Sequence, residues 1–141
     1  YALKKYRSSI KDYEKAIRLE ENATYYSNLG AAYFSKKNFP KATEAYGKAV
    51  EINPDVFDNP NRAGISGQIA SPEDRAHFSY VLAELYARQG YADRSLECLR
   101  RALEEGYKHS DDAYSDAAFA QLRKDPRFVA LMSKRPPAIS D

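Results

Sequence analysis

The residue types that carry chemistry are few in this chain, and their spacing suits packing better than catalysis. One cysteine, Cys98, and two histidines, His77 and His109, are the whole supply of thiol and imidazole in 141 residues. Cys98 follows Ser95 by three positions and adjoins Leu99 in an apolar periodic stretch, which is the setting of a small core hydrophobe rather than a nucleophile paired with a base. A single thiol also supplies neither a disulfide framework nor enough ligands for a zinc cluster. The acid pair Asp111 and Asp112 precedes an apolar segment and reads as helix capping rather than as general acid–base machinery. No phosphate-cradling glycine loop, zinc spacing or nucleophile elbow occurs. The expectation is a chain that is not an enzyme, with no cofactor and no metal.

Charge narrows the partners. Lys plus Arg is 22 and Asp plus Glu is 20, a net charge of +2, without the strong basic excess of a nucleic-acid or membrane-surface protein. The basic stretch Lys4, Lys5, Arg7, Lys11, Lys15 and Arg18, interleaved with Tyr1, Tyr6 and Tyr13, is offset by Asp12, Glu14, Glu20 and Glu21. No apolar run approaches the roughly 18 residues that cross a bilayer. These features argue against nucleic acid and against membrane insertion. The chain opens at Tyr1 inside a periodic segment, which predicts that a leader or an earlier domain precedes it.

The elements follow from apolar spacing. Leu3, Tyr6, Ile10, Tyr13 and Ile17 recur at three and four, so one amphipathic helix is expected over Tyr1 to Glu21, with Asn22 as its break. A second is expected from Ala23 to Ser35. A third starts near Pro40, which the first helical turn tolerates, and ends before Asn53, Pro54 and Asp55. From Phe57 to Ala70 the periodicity gives way to a long loop broken by Pro60, Gly64 and Gly67. Ser71, Pro72, Glu73 and Asp74 then mark a helix start with cap, proline and acids at the positive end of the dipole. That helix runs to Gln89. Gly90 separates it from one over Ala92 to Glu105, which Gly106 stops. Asp116 and Asp125 cap short helices over about 117–123 and 126–133, and Arg135, Pro136 and Pro137 lead a flexible tail. No segment alternates as a strand does.

Self-comparison gives the organisation. Residues 23–56 carry Tyr26, Leu29, Gly30, Tyr33, Ala42, Tyr46, Ala49 and Pro54; residues 76–109 carry Ser79, Leu82, Ala83, Tyr86, Ser95, Leu99, Ala102 and Tyr107 at the same offsets. The small residues let two helices cross closely, and tyrosines and leucines fill the space around the crossing. This explains a composition in which 21 Ala and 12 Tyr stand beside only 26 Leu, Ile, Val and Phe. Ahead of the first segment, Tyr13, Ala16, Ile17 and Leu19 reproduce Tyr46, Ala49, Val50 and Ile52. Between the two segments lie about 19 more residues than a regular array of period 34 holds, in a loop read either as packing filler or as functional.

On these residues the chain resembles the tetratricopeptide repeat family, whose unit is a 34-residue helical hairpin. The resemblance departs at Ser79, where an aromatic residue is usual, and at Tyr107, where proline is. Phe119, Leu122, Asp125, Pro126, Arg127, Phe128 and Leu131 resemble the short module that closes many bacterial proteins of this kind. The family implies an all-α, right-handed solenoid of helical hairpins. The expected organisation is 1–22 as the second helix of an incomplete repeat, 23–56 as a repeat, 57–75 as a loop and helix start, 76–109 as a second repeat, 110–134 as capping helices and 135–141 as the tail.

The resemblance also implies a function without catalysis, in which a scaffold holds a peptide segment of a partner on the concave groove lined by the first helix of each pair. In this sequence that face comprises Thr24, Ser27, Asn28, Ala31, Phe34 and Ser35, then His77, Tyr80, Val81, Glu84, Ala87 and Arg88. A subgroup that grips chaperone C-termini requires Lys and Asn at set places; Asn28 fits one, while Thr24, His77 and Val81 do not fit the others. The alternative reading is an assembly module that self-associates as a homo-oligomer through the N-terminal helix and the 57–70 loop.

Overall fold

The computed structural model describes the backbone of residues 2–58 and 71–134, and the side chains of that range other than 2–10 and 13. Tyr1, most of the expected loop with Pro60, Gly64 and Gly67, and the tail from Arg135 lie outside the described residues, as do the side chains of Leu3, Tyr6, Ile10 and Tyr13. Among the described residues the secondary structure is helical, and the fold is an all-α arrangement of helical hairpins. The chain divides into two compact units, Tyr1–Ile65 and Ser66–Asp141.

The first unit is a hairpin of α1 (Ala2–Ser35) and α2 (Phe39–Ile52). The break expected at Asn22 does not occur: α1 runs through it as one helix of 34 residues. Between Leu19 and Ala23 there is neither proline nor glycine, and one asparagine costs a helix only about 0.5 kcal/mol, too little to stop it. By contrast Ile52 meets Asn53, whose side-chain oxygen accepts the Asp55 N–H at 3.0 Å and fixes a turn. At the other end of α2, Asn38 accepts the Lys41 N–H at 3.4 Å, with proline in the first turn as expected.

Three parallel stripes organise α1. Ala23, Ser27, Gly30 and Phe34, spaced four, three and four, form its buried stripe. Gly30 lies so close to Tyr46 that an added Cβ would stand 2.6 Å from the ring. Phe34 packs its ring edgewise on Phe39 at 5.0 Å and tilted to Tyr46 at 6.4 Å. Phe57, expected to open the loop, belongs to this core: it is buried, with its ring 5.4 Å from that of Tyr46. Tyr26, Leu29 and Tyr33, expected to fill the interior, are only half-buried along a second stripe. The third stripe, Thr24, Asn28, Ala31 and Ser35, lies on the far side.

The second unit pairs α3 (Pro72–Arg88) with α4 (Ala92–Glu104) and adds 3-10 turns at Ser110–Tyr114, Ala117–Phe119 and Leu122–Lys124 before α5 (Pro126–Ser133). The helix expected over 117–123 is thus two 3-10 turns, while the one expected at 126–133 is α-helical. Three of the expected caps are in place: Ser71 accepts from Asp74 N–H at 3.4 Å, Asp116 from Ala118 N–H at 2.9 Å and Asp125 from Arg127 N–H at 2.8 Å. The acid pair Asp111 and Asp112, also expected to cap, instead lies within the turn Ser110–Tyr114, which has no side-chain cap. The crossing uses the small residues that the alignment predicts. Ser95 donates its hydroxyl to the Ala83 carbonyl at 2.7 Å, and Ala83, Ser95 and Ala102 are each 0 % exposed.

The two hairpin turns share one geometry in one register. Asn38 N–H bonds to the Tyr33 carbonyl and Tyr91 N–H to the Tyr86 carbonyl, both at 2.9 Å. The residue before each donor is left-handed, with φ of +63° at Lys37 and +85° at Gly90. Each helix therefore ends in the same six-to-one capping motif. Gly106, at φ +82°, repeats it after α4, as expected.

Candidate functional site

Each residue assigned to the ligand face can now be placed. On α1, Thr24, Asn28 and Ser35 are exposed, while Ala31 is buried between them as a small floor. Ser27 and Phe34 are corrections: both belong to the buried stripe, where Ser27 donates to the Thr24 carbonyl at 3.0 Å and Phe34 meets Tyr46. Helical periodicity put them on an open face because a neighbouring stripe of a helix differs from it by only one residue in register. What α1 offers is a polar row over a methyl floor, on the side of the helix away from Tyr26, Leu29 and Tyr33.

On α3 the assigned face is not open along its whole length. Arg88 is exposed and His77, Glu84 and Ala87 are half-buried, whereas Tyr80 and Val81 are buried. The residues that cover Tyr80 come from the chain beyond α4. Tyr107 stacks on it at 4.6 Å, Phe119 meets it edge-on at 5.6 Å, and its hydroxyl donates to Asp116 at 3.1 Å. The Tyr107 ring also stacks on His77 at 5.7 Å. Arg123 clasps the covering segment by donating to the carbonyls of Ala113 at 3.0 Å and Asp116 at 2.7 Å. Tyr80, expected to await a ligand, is therefore engaged by its own unit.

Beneath this cover lies a cluster of titratable groups. Burial pushes Glu84 up to about 8, helped by a side-chain hydrogen bond to Asp116 and by the charge on that neighbour, with Arg88 opposing. Burial would raise Asp116 too, but hydrogen bonds from Glu84, the Ala118 N–H and Tyr80, with the Arg88 charge, carry it below the usual carboxylate range. The opposite directions of the two shifts favour a single proton shared within the pair. Tyr107 is pushed up to about 12 by burial and by Asp112, Glu84 and Asp116. Tyr80 is raised by burial and by the charges on Asp116 and Glu84. The hydrogen bond between Glu84 and Asp116 ties the covering segment to α3.

Two grooves escaped the sequence reading. In the first unit Tyr26, Leu29 and Tyr33 of α1 and Lys41, Glu44, Ala45 and Lys48 of α2 line one of about 180 Å³. In the second, α4 and α5 border one of about 630 Å³ between Arg100, Leu103, Glu104 and Arg127, Ala130, Leu131, Lys134. Two of its lining cations are paired, Arg100 with Glu97 and Glu104, and Arg127 with Asp93 at 2.6 Å and Asp125 at 2.8 Å. The signal that marks the first groove was present in the sequence, since a repeat keeps an apolar face for its neighbour. Among the described residues no group of three or more His, Cys, Asp and Glu is placed to hold a metal ion. No described helix is long and apolar enough to cross a membrane.

Models of the tetratricopeptide repeat match residues 23–56 and, separately, residues 76–105. The chain is a tetratricopeptide repeat protein. The small-residue crossings at Gly30 and Ala83 are accordingly the helix contacts of two repeats of that family, and α2 and α4 are the second helices of each. Among curated proteins the repeat chain is similar to the mitochondrial import receptor subunit TOM70 of Saccharomyces cerevisiae, at 44 % identity over 52 residues, 37 % of this chain and 8 % of the receptor subunit. It is also similar to the small glutamine-rich tetratricopeptide repeat-containing protein 2 of the same organism, at 30 % identity over 108 residues, 76 % of this chain and 30 % of the relative. The tetratricopeptide chain thus spans less than a third of either relative. No solved structure matches it.

Proposed function

We propose that this tetratricopeptide repeat protein is a non-catalytic binding module that holds a peptide segment of a partner protein against the first helix of its repeats. The observation that carries the reading is the row Thr24, Asn28 and Ser35: exposed hydroxyl and amide groups stand along one side of α1 over the buried methyl of Ala31. A peptide backbone laid along that floor finds donors and acceptors at helical spacing, and bulk in the floor would hold it off. On α3 the accessible part of the face is Arg88 with the half-buried Ala87. Similarity to an import receptor subunit supports protein partners as the ligand class.

A phage-displayed peptide library panned against the whole chain tests this. Selected peptides lose at least tenfold in affinity for Asn28→Ala or Ala31→Leu, with helicity by circular dichroism unchanged. Peptides that bind both variants as tightly as the parent overturn the reading.

A second reading, self-association through residues 1–22 and the 57–70 loop, is favoured by one observation: every described side chain from Lys11 to Asn22 is exposed. Sedimentation velocity over a wide concentration range tests it. A monomer throughout removes it.

A further inference from the structure

Tyr107 departs from the repeat pattern, which has proline at its place, and its ring lies on the face of α3 that was expected to take a ligand. It stacks on Tyr80 at 4.6 Å with the planes 27° apart, and on His77 at 5.7 Å and 17°. His77 and Tyr80 are three residues apart and so share one side of the helix. They form a shelf of two rings, and the chain lays an aromatic side chain of its own across it.

The shelf is held more firmly than its cover. Tyr80 is buried, donates to Asp116 at 3.1 Å and meets Phe119 edge-on at 5.6 Å. Tyr107 is only half-buried, and among the described residues its hydroxyl has no hydrogen-bond partner. Its backbone is fixed independently of the ring, by the N–H bond to the Ala102 carbonyl at 2.9 Å behind the left-handed Gly106. Next to it the Lys108–Glu73 pair, at 3.1 Å, is exposed at both ends and adds little. The rest of the covering segment is anchored by Phe119, Leu122 and Phe128 in the core of the unit. Rotation about the Tyr107 Cα–Cβ bond therefore clears the shelf without unwinding α4 or the turns that follow it.

We propose that the His77–Tyr80 shelf is an aromatic subsite of the ligand face, plugged by Tyr107 in the free chain, and that a phenylalanine or tyrosine side chain of a partner peptide replaces the Tyr107 ring there. The proposal rests on the peptide-binding reading above and concerns α3 alone. The chain's own occupant gives the chemistry of the ligand. A flat ring gains stacking on both tyrosine and imidazole that an aliphatic side chain of equal bulk does not. The plug weakens binding by the fraction of chains in which it is seated, so its removal tightens the same peptides.

The test pans a phage-displayed peptide library in parallel against the whole chain, Tyr107→Ala and Tyr107→Phe, with circular dichroism as the check on helicity. Peptides selected on Tyr107→Ala are expected to carry an aromatic residue at one fixed position. They bind that variant about tenfold more tightly than the parent or Tyr107→Phe, whose ring still plugs the shelf. Changing their aromatic residue to leucine abolishes the gain. A second measurement needs no variant: in the parent chain at saturating peptide, the nuclear Overhauser contact between the Tyr107 and Tyr80 rings disappears and one from the peptide ring to Tyr80 takes its place. Equal affinity for the parent and Tyr107→Ala, selection without an aromatic residue, or a Tyr107–Tyr80 contact that survives saturation overturns the proposal. Peptides that bind all three forms alike and depend on Asn28 overturn it while leaving the reading of the α1 row intact, and failure of every form to select a peptide removes both.

Discussion

Gly30 sits directly under the ring of Tyr46. A Cβ built on Gly30 would lie 2.6 Å from one ring carbon and 2.7 Å from another, and Tyr46 is fully buried with Phe34 and Phe57 around it. The ring therefore has nowhere to move. Helix propensity alone would make alanine better than glycine by about 1 kcal/mol. Overpacking acts the other way, at roughly 1–3 kcal/mol, and wins because a fully buried ring rather than a flexible side-chain end is the obstacle. Gly30→Ala is expected to lower the stability of the chain by about 1–2 kcal/mol in urea unfolding followed by circular dichroism. An unchanged or raised midpoint would contradict the close crossing.

In the second repeat the corresponding contact is polar. Ala83 already carries a methyl group, the partner opposite is Leu99 rather than tyrosine, and Ser95 ties the helices by donating to the Ala83 carbonyl. Ala42 fills the equivalent site of the first repeat without a hydroxyl, so Ser95→Ala keeps the shape and loses one buried bond. The expected cost is about 1 kcal/mol. Ser95→Leu is expected to cost more, through overpacking at a site that is 0 % exposed.

These contacts were legible in the sequence because small residues at fixed offsets have one physical reason to recur. The helix caps at Ser71, Asp116 and Asp125 were legible for a similar reason, since each depends on a short local pattern. The continuity of α1 was not. Asn22 weakens a helix without stopping it, and only its surroundings decide. The ligand face was half-legible: Thr24, Asn28 and Ser35 stand open as expected, but Phe34 lies one stripe away in the core. Tyr80 was out of reach of local reasoning altogether, because its cover comes from Tyr107, Asp116 and Phe119, up to 39 residues later in the chain, and their pairing with α3 leaves no periodic trace.

The shared turn geometry gives a local test. Lys37 and Gly90 occupy the same left-handed position, at φ +63° and +85°. A side chain there is disfavoured by roughly 1–2 kcal/mol, and space around Gly90 is open, so backbone strain is the only new cost of a methyl group. Gly90→Ala is expected to destabilise the second unit by about 1 kcal/mol, less what alanine recovers from a stiffer unfolded chain. Protection of the α3–α4 amides in hydrogen exchange reports it. A variant as protected as the parent would mean that the turn relaxes away from the left-handed region.

The Glu84–Asp116 pair makes the second unit sensitive to pH, and the sign follows from the direction of the shift. Glu84 has an ordinary value of 4.5 and is raised to about 8 in the folded chain. Below 4.5 both folded and unfolded chains carry its proton. Between 4.5 and 8 the unfolded chain has released that proton and the folded chain has kept it, so stability falls as pH rises through this window. Asp116, held below its usual range, acts oppositely and only in more acidic solution. Glutamine at position 84 keeps a donor for Asp116 and cannot ionise. Glu84→Gln is therefore expected to flatten the decline between pH 5 and 8 and to exceed the parent at pH 8 by on the order of 1–2 kcal/mol, after discounting for partial exposure. Thermal unfolding at both pH values measures it, with Asp116→Asn as a companion that should leave Glu84 to titrate nearer its ordinary value. Parallel declines in the parent and in Glu84→Gln would show that the proton is held elsewhere.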